Sequence, residues 1–213
     1  MFVDIHTHNF SESKYPAIRN LNFSEADELF SSTEKGLFSV GFHPWFDNEY
    51  STESLAKLKK WGNDNRMAAI GECGLDKNSK VLLEKQVLIF EKQILLSESV
   101  KKPLIIHCVG CFNELFELKK RIKPLQLWII HGFRGRPELT NQALRVGCYL
   151  SYGEHFNIEG VRITPIDKLL IETDESLFSI EEIYRQIAEI KNIKPDLLGG
   201  GEHIYQNILS KFV

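Results

Sequence analysis

The stretch Asp4–His8 reads DIHTH and places two histidines after a short apolar run. A second apolar run that ends in histidine, LIIHC, occupies Leu104–Cys108, and a third, WIIHG, occupies Trp128–Gly132. Short apolar runs separated by longer segments are typical of buried strands in a parallel sheet. A metal-binding residue at the same end of successive strands favours a fold in which those strand ends meet.

Eight runs of this kind recur along the chain. They predict strands at Phe2–His6, Ala17–Phe23, Leu37–Gly41, Met67–Glu72, Pro103–His107, Leu127–His131, Cys148–Ser151 and Leu169–Thr173. Between them, apolar residues three and four positions apart predict amphipathic helices at Thr52–Trp61, Lys80–Ser99, Cys111–Ile122, Pro137–Val146 and Ile180–Lys191. Alternating strands and helices predict an α/β fold of the (β/α)₈ TIM-barrel type.

This pattern predicts few helical residues after the first two strands. Only ten residues separate these strands, which is too few for a crossover helix, and Ser24–Lys35 has the composition of one poor helix. The 213 residues are also few for a barrel that usually takes about 250 residues. We therefore expect a compact barrel with missing or short helices after the first two strands, as a single domain over residues 1–213.

The composition is that of a globular protein, with 43% hydrophobic residues, 26% charged residues and a net charge of -3. No apolar run approaches the ~18 residues that span a bilayer, and the N-terminus does not resemble a secretory signal. The 4 cysteines are scattered and do not suggest a disulfide framework. We expect a cytoplasmic protein that has no membrane partner and is monomeric by default. Its net charge provides no overall positive potential that would attract nucleic acid.

Side chains that can bind a metal ion follow five of the predicted strands. In a (β/α)₈ barrel the carboxyl ends of all strands open on one face, so distant residues converge there. Residues two apart on a strand point to the same side, which lets a histidine pair bind one ion. A lone histidine after an apolar run is usually structural, but imidazoles and carboxylates together predict a site for zinc, manganese, iron or magnesium. The predicted ligands are His6, His8, Glu72, His107, His131 and Asp174.

The order of several motifs adds a family resemblance. From Phe2 to about Phe212 the chain resembles the TatD-type metal-dependent hydrolases, a branch of the amidohydrolase-like barrels. The resemblance rests on DIHTH, GFHP, IGECGLD, KPLIIHC, IIHGFRG, YLSYG and LLIETD in that order. It implies a hydrolase of ester bonds with one or two divalent ions, in a family that includes Mg²⁺-dependent deoxyribonucleases.

Carried over residue by residue, the resemblance implies a first ion on His6, His8 and Asp174. It implies a second ion on His107 and His131, with Glu72 bridging the two. We expect two divalent ions (Mg, Mn or Zn), whose bound water attacks a phosphodiester of transiently bound DNA. Asp174 and Glu72 are the predicted catalytic residues. Asp174 acts either as a ligand alone or also as the acceptor of the water's proton.

His43, Arg134 and Arg136 are the predicted substrate-binding residues. His43 in GFHPWF either contacts a phosphate or orients a ligand carboxylate, or it only ends a strand before proline. The two arginines follow a predicted ligand at the start of a helix, where guanidinium groups make a good phosphate site. Exposed arginines also commonly have no specific role.

The sequence suggests roles for three further residues. Trp45 and Phe46 either stack on a base, because every base presents a π-face, or cover the poorly protected side of the barrel. Asp76 in GECGLDK can orient a metal ligand without binding the metal itself.

Three functions are compatible with these residues. The first is a metal-dependent phosphodiesterase or deoxyribonuclease, and the second is an amide, ester or lactone hydrolase with the same site. The third is a non-catalytic binding protein on a barrel scaffold. The chain departs from the family pattern after His107, where it has Val109 and Gly110, and after Asp174, where no proline-bearing loop follows. Both departures alter the rim, so the substrate is less constrained than the hydrolytic chemistry.

Overall fold

The strands follow one another in chain order within one sheet. The computed structural model describes residues 1–9, 14–199, 201, 202, 204 and 206, and its eight-stranded sheet has the order β1 to β8. The strands are β1 Asp4–Thr7, β2 Ala17–Leu21, β3 Leu37–Val40, β4 Met67–Asp76, β5 Leu104–Val109, β6 Trp128–Ile130, β7 Tyr149–Tyr152 and β8 Leu169–Ile171. The α-helices are α1 Phe23–Ser31, α2 Thr52–Gly62, α3 Leu83–Val100, α4 Phe112–Ile122, α5 Pro137–Arg145, α6 Ile158–Ile163 and α7 Ile180–Lys191. This order confirms the predicted (β/α)₈ fold.

The helices after the first two strands confirm the expectation of thin cover. Among the described residues between β1 and β2 there is no helix, and α1 after β2 has only nine residues. Helix α1 begins where Asn22 accepts a hydrogen bond from the N–H of Glu25 at 3.0 Å, while Glu25 accepts one from the N–H of Asn22 at 2.8 Å. This reciprocal cap satisfies two backbone donors and fixes the start of a short helix.

Two differences from the prediction concern β4 and α6. Strand β4 continues to Asp76 rather than ending at Glu72, because the segment GECGLD keeps its pairing with β5, with Gly74 opposite His107. Helix α6 was not predicted, since six residues are too few to show a helical period. Within the part of the chain that the structure describes, no helix has both the length and the apolar character needed to cross a membrane.

The chain divides into two compact units. The terminal unit comprises Met1–Arg19 and Ile130–Val213, and the central unit comprises Asn20–Ile129. The single domain expected over residues 1–213 stays a prediction.

In the terminal unit, β1 joins the chain that follows β8. The N–H of His8 donates to the carbonyl of Asp174 at 3.0 Å, and the N–H of Asp174 donates to the carbonyl of His6 at 2.9 Å. Thr7 and Asp174 thereby form a parallel bridge. The first strand of the sequence and the end of the last strand are thus held side by side.

Helix α7 packs on the same unit through buried apolar side chains and a buried tyrosine hydroxyl. Ile183, Tyr184 and Ile187 are all buried. The hydroxyl of Tyr184 donates to the carbonyl of Val3 and accepts from its N–H, both at 3.1 Å. Because β1 begins at the next residue, this contact fixes the entry of the chain into the sheet.

In the central unit, two buried glutamines of α3 hold the ends of strands. Gln93 accepts from the N–H of Phe42 at 2.7 Å and donates to its carbonyl at 3.1 Å. Gln86 accepts from the N–H of Asp76 at 2.7 Å and donates to its carbonyl at 3.0 Å. Each amide therefore replaces a missing strand partner at the point where β3 or β4 gives way to a loop.

Replacing Tyr184 with Phe tests the contact with Val3. The substitution keeps the ring but leaves a buried N–H and a buried carbonyl without this partner, so we expect the free energy of unfolding to fall by about 1–3 kcal/mol. Chemical denaturation monitored by circular dichroism measures this loss. Tyr149→Phe is the matched control, because the Tyr149 hydroxyl has no hydrogen-bond partner among the described residues. Equal stabilities of the two variants would contradict this role for Tyr184.

Candidate metal centre

His6, His8 and Asp174 form the first ligand group of the terminal unit. One ligand atom from each lies within 4.8 Å of the others. The Nε2 atoms of His6 and His8 lie 3.6 and 3.7 Å from Oδ1 of Asp174. The His6 side chain is fully buried, whereas those of His8 and Asp174 are each 34% exposed. The group is therefore anchored on one side and accessible on the other.

The backbone around Asp174 explains how this group forms. Asp174 has a φ of 55°, a left-handed conformation that aspartate tolerates better than most residues. Its N–H donates to the carbonyl of His6, and its carbonyl accepts from the N–H of His8. The backbone pairing therefore fixes the position from which the carboxylate extends toward both imidazoles.

His131 and Glu172 complete the polar cluster of the terminal unit. Nδ1 of His131 lies 3.5 Å from Oε1 of Glu172, and one ligand atom from each comes within 4.8 Å of Asp174. The rings of His131 and His6 are 4.4 Å apart. Glu172 is fully buried, and its Oε1 accepts a hydrogen bond from the N–H of Gly132 at 2.5 Å.

The second oxygen of Glu172 shows that this donor set suits a cation. Oε2 is buried and has no hydrogen-bond partner among the described residues. A buried carboxylate oxygen is costly unless a donor or a cation satisfies it. Imidazole nitrogens and carboxylate oxygens without thiolates are the ligands of zinc, manganese and magnesium. The residues present therefore fit a divalent ion.

Glu172 was missed by the sequence reasoning. Its signal was its position two residues before Asp174 in IETDE, a spacing that places both side chains on the same side of an extended segment. The prediction used only the second carboxylate.

Asp4 was also missed, although it begins the DIHTH motif. Its Oδ2 accepts from the hydroxyl of Thr173 at 2.6 Å, and its Oδ1 accepts from the N–H of Thr173 at 3.0 Å. Burial raises the pKa of Asp4 to about 7 even though these hydrogen bonds favour the carboxylate. Asp4 therefore braces the segment just before Asp174.

The central unit contains a second ligand group, formed by His43, Glu72 and His107. One ligand atom from each lies within 4.8 Å of the others. Oε1 of Glu72 is 2.8 Å from Nδ1 of His107 and 3.4 Å from Nε2 of His43. All three side chains are largely buried. His43 was predicted to contact the substrate, and the structure places it where it can also contribute a metal ligand.

Asp76 fixes the orientation of His107. Its Oδ2 lies 3.0 Å from Nε2 of His107 and accepts from the indole N–H of Trp45 at 2.7 Å. The N–H of Asn78 donates to Oδ1 at 2.7 Å. Desolvation opposes ionisation of Asp76, but the hydrogen bonds, led by that of His107, outweigh it and hold the pKa below its ordinary value. An ionised carboxylate therefore faces the imidazole.

A cavity of about 230 Å³ in the terminal unit gives access to its ligand group. Asp174 and Glu172 line it together with Arg134 and Glu154. Arg136 is exposed just before Pro137 at the start of α5 and is not among the residues that line this cavity. One of the two predicted phosphate-binding arginines thus lies beside a predicted ligand.

Each unit by itself brings together part of the predicted ligand set. The terminal unit brings together His6, His8, His131 and Asp174, and the central unit brings together Glu72 and His107. The expected sharing of one ion by His107 and His131, and the bridging role of Glu72, stay predictions.

Comparisons with known proteins agree with this chemistry. The family model described as "TatD related DNase" matches residues 9–210. An uncharacterized metal-dependent hydrolase of Buchnera aphidicola is 29% identical over 200 residues, which cover 82% of this chain and 74% of that protein. The 3'-5' ssDNA/RNA exonuclease TatD of Erwinia tasmaniensis is 33% identical over 147 residues, which cover 64% of this chain and only 56% of the exonuclease.

A solved structure supports the fold. The crystal structure of YjjV, a TatD homologue from Escherichia coli K12, has a TM-score of 0.82 at 18% identity and covers 97% of each chain.

Replacing Glu172 with Gln tests whether its charge acts on a bound ion. The amide can still accept from Gly132, but the negative charge facing His131 is lost, so we expect the affinity for Mn²⁺ to fall by about 10- to 100-fold. Calorimetric titration of chelator-treated protein measures this change. Glu175→Gln removes an exposed carboxylate that lines the same cavity and should change the affinity by less than about threefold. Unchanged Mn²⁺ affinity in Glu172→Gln would rule out the role.

Proposed function

Because the chain belongs to the TatD related DNase family, we propose that it is a divalent-metal-dependent hydrolase that cleaves phosphodiester bonds of DNA. The observation that carries this proposal is that each compact unit contains its own group of histidine and carboxylate ligand atoms within 4.8 Å of one another. Two complete groups support two ions, with Mg, Mn or Zn as candidates.

The residues divide between the groups as follows. His6, His8 and Asp174 would hold one ion, with His131 and Glu172 beside them. Glu72 and His107 would hold another. When bound, a divalent ion lowers the pKa of a water molecule and stabilises negative charge on phosphate oxygens.

Asp174 is the better-placed acceptor for the proton of the attacking water. Its side chain is 34% exposed and lines the cavity, so a water and a substrate can reach it. Glu72 is only 9% exposed and faces His43 and His107. We therefore propose that Asp174 is both ligand and base, and that Glu72 acts by holding its imidazole neighbours and an ion.

Arg134 and Arg136 are the proposed phosphate contacts. Both are exposed, and Arg134 lines the cavity that contains Asp174. Arg136 precedes the first turn of α5, where backbone N–H groups and the helix dipole also favour an anion. His43 would contact the substrate or an ion in the central unit.

A second candidate function has one observation in its favour. The cavity is lined by four carboxylates, Glu154, Glu172, Asp174 and Glu175, and by the single arginine Arg134. An acidic cavity repels a polyanion unless cations neutralise it, so a neutral amide, ester or lactone is the alternative substrate. The ligand groups are complete, which weighs against a non-catalytic binding protein.

The remaining parts of the proposal concern partners and location. We propose a cytoplasmic monomer of one domain that binds DNA, or another phosphodiester substrate, only transiently. The 4 cysteines are all free thiols, as is usual in a reducing compartment, which supports this location.

Metal removal tests the central claim. Treatment with EDTA should abolish cleavage of a single-stranded oligonucleotide, and Mn²⁺ or Mg²⁺ should restore it. His107→Ala should lower the rate by about 100-fold or more while the circular dichroism spectrum stays that of the wild type. Cleavage that persists in EDTA would refute metal dependence. A panel of p-nitrophenyl esters tested alongside decides between the two candidate substrates.

Substitution of the arginines tests the phosphate contacts. Arg134→Ala should raise the KM for an oligonucleotide by about tenfold, because one charge-assisted contact is lost, and Arg136→Ala should raise it by about threefold. Arg145→Ala is the matched control, since it removes an exposed arginine from the other end of α5. If all three variants have the same KM, the arginines do not bind the substrate.

A further inference from the structure

An exposed tryptophan lies beside the ligand group of the central unit. The chain has 3 tryptophans. Trp61 and Trp128 are 6% and 0% exposed, whereas Trp45 is 54% exposed. Its neighbour Phe46 is 49% exposed. Two large aromatic side chains therefore face solvent two and three residues after His43.

The indole of Trp45 is nevertheless held in place. Its Nε1–H donates to Oδ2 of Asp76 at 2.7 Å, and Asp76 is itself only 1% exposed. The backbone N–H of Trp45 donates to Nδ1 of His43 at 3.2 Å. The polar edge of the ring is thus bound on the protein side, while more than half of the side chain remains accessible.

The ring also lies close to the proposed ligands. Its centroid is 6.0 Å from the ring of His107 and 5.1 Å from the ring of His43, in steep edge arrangements of 74° and 89°. Asp76 connects Trp45 to His107, because the same carboxylate oxygen lies within hydrogen-bond distance of both. An apolar surface of fixed orientation is therefore placed next to the chemistry.

We propose that Trp45 is a stacking platform for one unpaired nucleobase of the substrate. This inference rests on the proposed function and adds a contact with the base from a residue outside the two ligand groups. An oriented aromatic ring loses little conformational freedom when a base stacks on it. Bases within a duplex already have both faces covered, so an unpaired base is the occupant that this surface fits. Stacking is tolerant of sequence, which suits a hydrolase of the common backbone.

A purely structural role would look different. A residue that covers the sheet would bury most of its ring, as Trp61 and Trp128 do. A residue that only restrains Asp76 would act through its N–H alone. The two roles are separated by substitution, because Phe keeps a stacking ring without the N–H and Ala removes both.

Intrinsic fluorescence provides the binding assay. The two other tryptophans are buried, so quenching by a ligand reports on Trp45. Chelator-treated protein is titrated with a short oligothymidylate and with an abasic deoxyribose-phosphate oligomer of the same length. We expect the oligothymidylate to quench the emission and to bind about 5- to 140-fold more tightly than the abasic oligomer. Equal affinities for the two oligomers would overturn the proposal.

The variants are compared by fluorescence anisotropy of labelled oligomers. Trp45→Ala should lose about 5- to 140-fold in affinity for oligothymidylate and keep its affinity for the abasic oligomer, whereas Trp45→Phe should stay within about threefold of the wild type. Leu125→Ala, which truncates a side chain that is 87% exposed, should bind like the wild type. Equal losses in the Phe and Ala variants would show that Trp45 acts only through Asp76.

The proposed function is tested separately by cleavage of the oligothymidylate with Mn²⁺ restored. No cleavage by the wild type would refute the nuclease proposal, while the titration in chelator still decides the stacking site, since it needs no turnover.

Discussion

The backbone pairing between β1 and the residues after β8 is the interaction on which the terminal ligand group depends. Two hydrogen bonds of 3.0 and 2.9 Å join Asp174 to His8 and His6, which lie more than 160 residues earlier in the chain. A side chain on a free loop would sample many positions, whereas a paired backbone allows few. The pairing therefore converts three ligands that are distant in sequence into neighbours whose atoms lie within 4.8 Å of one another. Asp4 supports the same junction, because both of its oxygens accept hydrogen bonds from Thr173.

The central unit solves the same problem with side-chain contacts. The buried amides of Gln86 and Gln93 hold the backbone where β4 and β3 end, and the carboxylates of Glu72 and Asp76 then face the two nitrogens of His107. A buried imidazole between two carboxylates is fixed in orientation at the cost of desolvating two charges. That cost is reduced if a cation replaces one of the carboxylate contacts. The geometry is thus that of ligands oriented in advance, which lowers the entropy lost when an ion binds.

The sequence predicted the fold well because strands depend on local patterns, whereas the binding of an ion by the predicted ligands stays a prediction. Apolar runs located all eight strands to within a few residues, and the ends of five of these runs carry the predicted ligands. Contacts between distant residues could not be predicted in this way. Glu172 interacts with Gly132 and His131, and Gln93 interacts with Phe42. The sequence around Glu172 or Gln93 does not indicate these partners. Strand β4 was predicted too short because its extension depends on pairing with β5, and α6 was missed because one and a half turns carry no periodicity.

The charge of the terminal cavity connects the metal question with the substrate question. Four carboxylates and one arginine line it, and the chain carries a net charge of -3. Without cations this surface repels a phosphodiester. When divalent cations are bound, the same carboxylates hold positive charge next to the phosphodiester. Binding of the ion and binding of a polyanionic substrate are then coupled, since each favours the other. A neutral ester or amide needs the ion only for hydrolysis and not for binding. The dependence of substrate affinity on the divalent ion therefore distinguishes the two substrate classes on physical grounds.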